Sequence, residues 1–113
     1  MTVKIYFTDA YTDDLKKIEN FIFESTENVK VVEQFFKEHD EVLEFVRENP
    51  NTPAVHPKTG DQSWIFSNGR YRLFFNTIKS SSILKIYLTQ VIDNREANLE
   101  VYPNNSVPTY DED

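Results

Sequence analysis

The sequence predicts an α+β domain: an antiparallel sheet of four to five strands, opened by an N-terminal strand, with an α-helical hairpin packed on one face. Three observations carry this prediction. Residues 3–7, VKIYF, alternate apolar and polar side chains with the period of a strand. From Leu15 to Val46 the apolar residues recur at helical spacing instead. From Ser63 to Ile92 the period returns to two, interrupted by turn residues.

The chain has 113 residues, 39% of them hydrophobic and 14% aromatic, enough for one packed core and too few for two domains. A single domain is expected over residues 1–95, followed by an acidic C-terminal extension, 96–113, that reads as partly disordered. There is no cysteine, which excludes a disulfide framework, a thiolate nucleophile and a zinc–thiolate site. The N-terminal MTVKIYFTDA lacks the apolar run of a signal peptide, and no stretch approaches membrane-spanning length, so a soluble cytoplasmic protein is the expectation.

Net charge is −7, which taken whole argues against phosphate recognition. The charge is divided, however. Asp9–Glu48 carries 5 basic against 12 acidic residues, and Asn49–Arg95 carries 6 basic against 2 acidic. The predicted helices are therefore acidic and the predicted sheet basic, an asymmetry more informative than the total.

Taken in order, Val3, Ile5 and Phe7 mark the buried side of the first strand, with Lys4 and Tyr6 on the other. Thr12 or Asp13 is the expected N-cap of the first helix, whose Leu15, Ile18, Phe21 and Ile22 form an apolar stripe ending near Ser25. A short break at Ser25–Asn28 leads to the second helix, where Val32, Phe35, Phe36, His39, Val42, Leu43 and Val46 share a face. So short a link between two apolar stripes implies an antiparallel hairpin. Asn49-Pro50 ends the second helix, because the residue before proline avoids the helical region and proline cannot continue the ladder. Asn49–Gly60, with three prolines, reads as a loop.

Ser63–Ser67 is a strand centred on Trp64 and Phe66, and Asn68-Gly69 is a hairpin-turn dipeptide. The following stretch, GRYRLFFNTIKSSSILKIYLTQVIDNR, holds two strands joined by a polar turn at Lys79–Ser82. In the first, Tyr71, Leu73 and Phe75 face the core, while Arg70, Arg72, Phe74 and Asn76 face away. In the second, Leu84, Ile86, Leu88 and Ile92 are assigned to the core and Lys85, Tyr87 and Thr89 to the opposite face. Leu99–Tyr102 is a candidate edge strand or docking segment. Helices on one side only would leave the second face open, carrying Lys4, Tyr6, Arg72, Asn76, Lys85, Tyr87 and Thr89.

That face is the candidate site. RNA cleavage requires a base for the ribose 2'-hydroxyl, charge stabilisation for the phosphorane and an acid for the leaving oxygen. Lys85 is the candidate base if neighbouring cations lower its pKa, Arg72 the phosphate clamp, and Tyr87 a proton shuttle or stacking platform. Lys4, Tyr6, Arg70, Asn76, Thr89 and Arg95 are candidate target-binding residues. The competing reading is that all of these are solvated side chains on the exposed side of a half-buried sheet. His39, on an apolar stripe without a second ligand, reads as a packed histidine, and His56 as an exposed loop residue. The acidic helix residues form a solvated face without a metal motif. With only Gly60 and Gly69 present, and no Walker, Rossmann, nucleophile-elbow or HExxH pattern, no cofactor is implied.

Two helices ending in Asn49-Pro50, the segment Gly69-Arg70-Tyr71-Arg72-Leu73-Phe74-Phe75, and an apolar strand ending in Ile92-Asp93-Asn94-Arg95 together resemble the ParE branch of the RelE/ParE toxin superfamily. This superfamily belongs to bacterial type II toxin–antitoxin systems, known for plasmid stabilization and growth inhibition. The resemblance spans about Val3 to Arg95 in element order. It implies a cognate antitoxin whose C-terminal segment wraps the sheet and helices. RelE-like members are ribosome-dependent mRNA endonucleases and ParE-like members poison DNA gyrase; the ParE leaning favours gyrase. Self-association into a homodimer is compatible with the sequence. The acidic balance departs from the basic family pattern and supports a different class of function, a non-toxic interaction module or degenerate toxin on the same fold. The acidic tail, following directly on basic strands, is expected to fold across the open face.

Overall fold

The computed structural model describes residues 2–94. Its elements are β1 (Thr2–Phe7), α1 (Asp9–Thr26), α2 (Val29–Glu48), β2 (Gln62–Phe66), β3 (Tyr71–Ser80) and β4 (Ile83–Asp93). The order and α+β class match the sequence expectation, but the sheet is mixed. Its four strands lie in the order β1-β4-β3-β2, with β2, β3 and β4 antiparallel and β1 parallel to β4. The fully antiparallel sheet is thus corrected. Residues 3–7 specify a strand but carry no information on direction, and the return through two helices sets the N-terminal strand parallel to the last one. The proposed strand at Leu99–Tyr102, Arg95 and the acidic extension lie outside the described residues.

The first helix begins earlier than its acidic residues suggest. Thr8, not Thr12 or Asp13, is the N-cap: its hydroxyl oxygen accepts from the Tyr11 N–H at 3.2 Å and donates to the Leu88 carbonyl at 2.8 Å. One side chain therefore caps α1 and ties it to β4. Glu27, in the left-handed region at φ 51°, closes α1, and Asn28 caps α2 by accepting from the Lys30 N–H. Two residues suffice to turn the chain back.

The helices bury Tyr11, Ile22, Phe35, Val42 and Val46 against Phe66, Tyr71, Leu73, Phe75, Ile86, Leu88 and Val91 of the sheet. Trp64 stacks on Phe45 of α2, with ring centroids 4.9 Å apart. The turn from β2 to β3 runs through Ser67, Asn68 and Gly69, all at positive φ, which explains the Asn-Gly pair. The β3–β4 turn is shorter than expected, only Ser81 and Ser82, and Lys79 and Ser80 belong to β3.

One irregularity overturns a face assignment. Phe75 pairs with Leu88 but Phe74 pairs with Gln90, so Thr89 is an extra residue in β4. Beyond it the alternation is shifted. Val91 enters the core opposite Leu73, and Ile92, assigned to the core by simple alternation, lies opposite Arg72 on the other face. The Val91 N–H, just past the irregularity, donates to the Asp14 carboxylate at 3.1 Å. Asp14 on α1 thus serves the sheet.

Candidate functional site

The sheet face opposite the helices divides into two halves. At the β1–β4 side no described element packs over it. The parallel register of β1 with β4 sets Lys4 beside Lys85 and Tyr6 beside Tyr87, and the antiparallel register of β3 with β4 sets Ile78 beside Lys85 and Asn76 beside Tyr87. Tyr6 and Tyr87 stack with centroids 5.1 Å apart and planes 19° from parallel, and the Lys85 ammonium stands 6.0 Å from the Tyr6 ring. Lys4 is exposed, Tyr6 and Lys85 are half-buried, and Tyr87 is buried at 1% exposure. Tyr6 therefore presents the aromatic surface and Tyr87 supports it.

At the β2–β3 side the face is not open, which corrects the expectation of a bare sheet. The proline-containing loop folds back over it. Gln62 donates through its amide to the Pro50 and Pro53 carbonyls at 2.8 and 3.0 Å, and the Ser63 N–H donates to Ala54 at 3.1 Å. Gly60, at φ 79°, lets the chain close a hairpin in which the His56 N–H donates to the Asp61 carbonyl at 2.7 Å. The loop buries Phe74 completely, and the His56 ring meets it edge to face at 5.3 Å. His56 is consequently half-buried on the sheet, not an exposed loop residue.

The anchor of this cover is Asp61, wholly buried just before β2. The Thr89 hydroxyl donates to its Oδ2 at 2.7 Å, and the Asn76 side chain also donates to the carboxylate. Burial pushes the Asp61 carboxyl above its ordinary range, and these two hydrogen bonds oppose the shift. Arg72 donates from Nη1 to the Ser63 hydroxyl at 2.7 Å. His56 is held below the ordinary imidazole range by burial first, then by the positive charges of Arg72 and Lys58. The His56 ring and the Arg72 guanidinium thus come near one another where the loop meets the sheet.

The sequence-predicted residues are therefore distributed over three places. Lys4, Tyr6, Lys85 and Tyr87 form the cationic and aromatic half at the β1–β4 side. Arg72, Asn76 and Thr89 belong to the loop-covered half, where Asn76 and Thr89 bind Asp61. Arg70 lies just before β3, its Nε 3.7 Å from the Asp93 carboxylate and its guanidinium 5.2 Å from the centre of the Tyr71 ring, away from both halves. Asp61 and Ser63 are the participants that sequence reading missed. The available signal was Gly60-Asp61 at the mouth of a strand, which reads as ordinary turn chemistry. His39 is packed as expected: 2% exposed, within hydrogen-bonding distance of Tyr11 at 2.6 Å, and ringed by Phe7, Phe35, Phe36 and Phe66. Among the described residues no group of acidic or histidine side chains has the geometry of a metal site, and no helix is long and apolar enough to cross a membrane.

Comparison with known proteins adds no family: no family model and no curated protein matches the chain.

Proposed function

We propose that this chain is a ParE-like toxin of a bacterial type II toxin–antitoxin system, acting in the cytoplasm by binding a macromolecular target and neutralised by a cognate antitoxin. The observation that carries the reading is the β1–β4 half-face, where Lys4 and Lys85 stand beside the Tyr6–Tyr87 stack on a molecule of net charge −7. Ammonium groups beside a half-buried aromatic ring suit a polyanion or the acidic surface of a nucleic-acid enzyme. The element order and the GRYRLFF strand support the RelE/ParE-like assignment. DNA gyrase is favoured over ribosome-bound mRNA, because Arg72, Lys85 and Tyr87 do not converge. Arg72 is bonded to Ser63 under the loop, Tyr87 is buried, and Lys85 stands with Lys4.

The test is tightly controlled expression in bacteria of the wild type and of a Lys4→Glu, Lys85→Glu double variant at equal soluble levels. Growth arrest by the wild type alone is the expected result, followed by inhibition of DNA supercoiling by purified protein. Arrest with intact supercoiling and cleaved ribosome-bound message would move the target to mRNA. Absence of arrest in both would leave the second reading, a non-toxic interaction module, which the 12 acidic residues of Asp9–Glu48 favour because they repel nucleic acid at long range.

A further inference from the structure

β1 is an end strand of the sheet: it pairs with β4, and among the described residues no strand pairs with its other side. Its Thr2 N–H and the following Thr8 N–H donate inward, to the Ser82 and Leu88 carbonyls at 2.9 and 3.3 Å. Strand alternation turns the peptide groups of Lys4 and Tyr6 inward as well, and those of Val3, Ile5 and Phe7 outward. The Val3 carbonyl agrees with this direction, accepting from Arg47 Nη1 of α2 at 3.3 Å. That single contact comes from a half-exposed side chain that also stands 3.6 Å from Glu44.

A row of outward N–H and C=O groups is a template for another strand, and β1 is its own complement. Set two β1 strands antiparallel with Ile5 opposite Ile5, and every outward-turned residue meets another, Val3 lying opposite Phe7. On the face away from the helices this register puts Lys4 of one copy opposite Tyr6 of the other, beside the Tyr6–Tyr87 stack. On the helix side it lays Val3 against Phe7, which is 48% exposed although its ring meets Tyr11 and His39. The neighbouring registers are worse. One centred on Lys4 sets two ammonium groups directly opposite each other, and one centred on Tyr6 runs Val3 against Asp9, where the chain has already entered α1.

We infer that two copies of this chain pair through β1 about a two-fold axis, antiparallel and centred on Ile5, joining their sheets into one. The Arg47 guanidinium yields the Val3 carbonyl to the Phe7 N–H of the other copy. Each Tyr6 gains an ammonium from across the axis, so the two cationic and aromatic half-faces become one surface to which both copies contribute. The inference rests on the edge of β1 and is read out as mass, so it stands or falls independently of the toxin reading.

Sedimentation equilibrium of the full chain over about 1–100 μM tests it, with a rise to twice the chain mass expected. Ile5→Pro removes an outward N–H and leaves the ladder to β4 intact, so it should weaken the dimer about tenfold or more, with circular dichroism checking the fold. Cross-linking tests the register without proline. The chain has no cysteine, and facing Cα atoms in a hydrogen-bonded antiparallel pair lie about 5.5 Å apart, within disulfide range. Ile5→Cys should therefore oxidise to a covalent dimer. Val3→Cys should not, because its counterpart across the axis lies about four residues, or roughly 13 Å, along the strand. A wild type that stays monomeric throughout, a folded Ile5→Pro that dimerises as the wild type does, or Val3→Cys cross-linking as readily as Ile5→Cys overturns the inference. An edge taken by the chain's own residues 96–113 would give the first of these results, and it too excludes the dimer.

Discussion

At the scale of single residues, the core is specified by polar groups as much as by apolar ones. Tyr11 and His39 are both buried and lie 2.6 Å apart, so Tyr11→Phe leaves an imidazole nitrogen without its partner at a cost of about 1–3 kcal/mol. Urea unfolding of the two proteins at pH 7 measures this directly. Burial holds the His39 pKa below its ordinary value, with the nearby Asp40 carboxylate partly opposing. A depressed folded pKa means that stability is present above the ordinary imidazole value and is lost as pH falls through the folded one. His39→Gln should therefore flatten the loss of stability below about pH 6.5. Asp14 makes a parallel case: Asp14→Ala strands the Val91 N–H beside the β4 irregularity, with an expected loss of about 1–3 kcal/mol.

At the scale of elements, the loop before β2 is held by one carboxylate. Asp61→Ala removes the acceptor for Thr89 and Asn76 and should speed amide exchange across residues 54–61, with a stability loss of about 1–3 kcal/mol. Asp61→Asn behaves differently. It keeps an oxygen at the Oδ2 position and removes a charge whose burial raises the folded pKa. The stabilisation tied to a raised carboxyl is complete below the ordinary value and lost as pH rises through the folded one. The asparagine variant should therefore lie within about 1 kcal/mol of wild type at pH 7 and show a flatter slope from pH 4 upward. A wild-type slope retained in full would remove Asp61 from this role.

At the scale of the whole molecule, the parallel pairing of β1 with β4 joins the two ends of the described chain. Contacts so distant in sequence carry the largest loop-closure cost, whereas the β3–β4 hairpin closes through two residues. The hairpin should form before β1 docks. Leu73→Ala, in the centre of the hairpin, is then expected to slow folding, and Ile5→Ala in β1 to accelerate unfolding while leaving the folding rate nearly unchanged. Stopped-flow kinetics over a denaturant series separates the two. The reverse partition would mean that β1 belongs to the folding nucleus. The charge division acts at this scale too, with acidic helices opposite a cationic β1–β4 edge, so the proposed target binding through Lys4 and Lys85 should weaken with added salt.

The sequence by itself determined what local chemistry dictates. Alternation in VKIYF and YRLFF, helical spacing from Leu15 to Val46, Asn49-Pro50 as a stop and Asn68-Gly69 as a turn identified six elements in their observed order, because period and backbone preference act within a few residues. It also put Lys4, Tyr6, Lys85 and Tyr87 on one face. Three things required the tertiary structure: the direction of β1, the face of Ile92 and the fate of the loop. Strand direction is decided by where the neighbouring edge becomes available, not by side-chain period. The face of Ile92 depends on the extra residue at Thr89, which has no signature in a run of strand-forming side chains. The loop covers Phe74 because Asp61 finds Thr89 and Asn76, which lie 28 and 15 positions further along the chain, and a contact between such distant residues is visible only once the chain has folded.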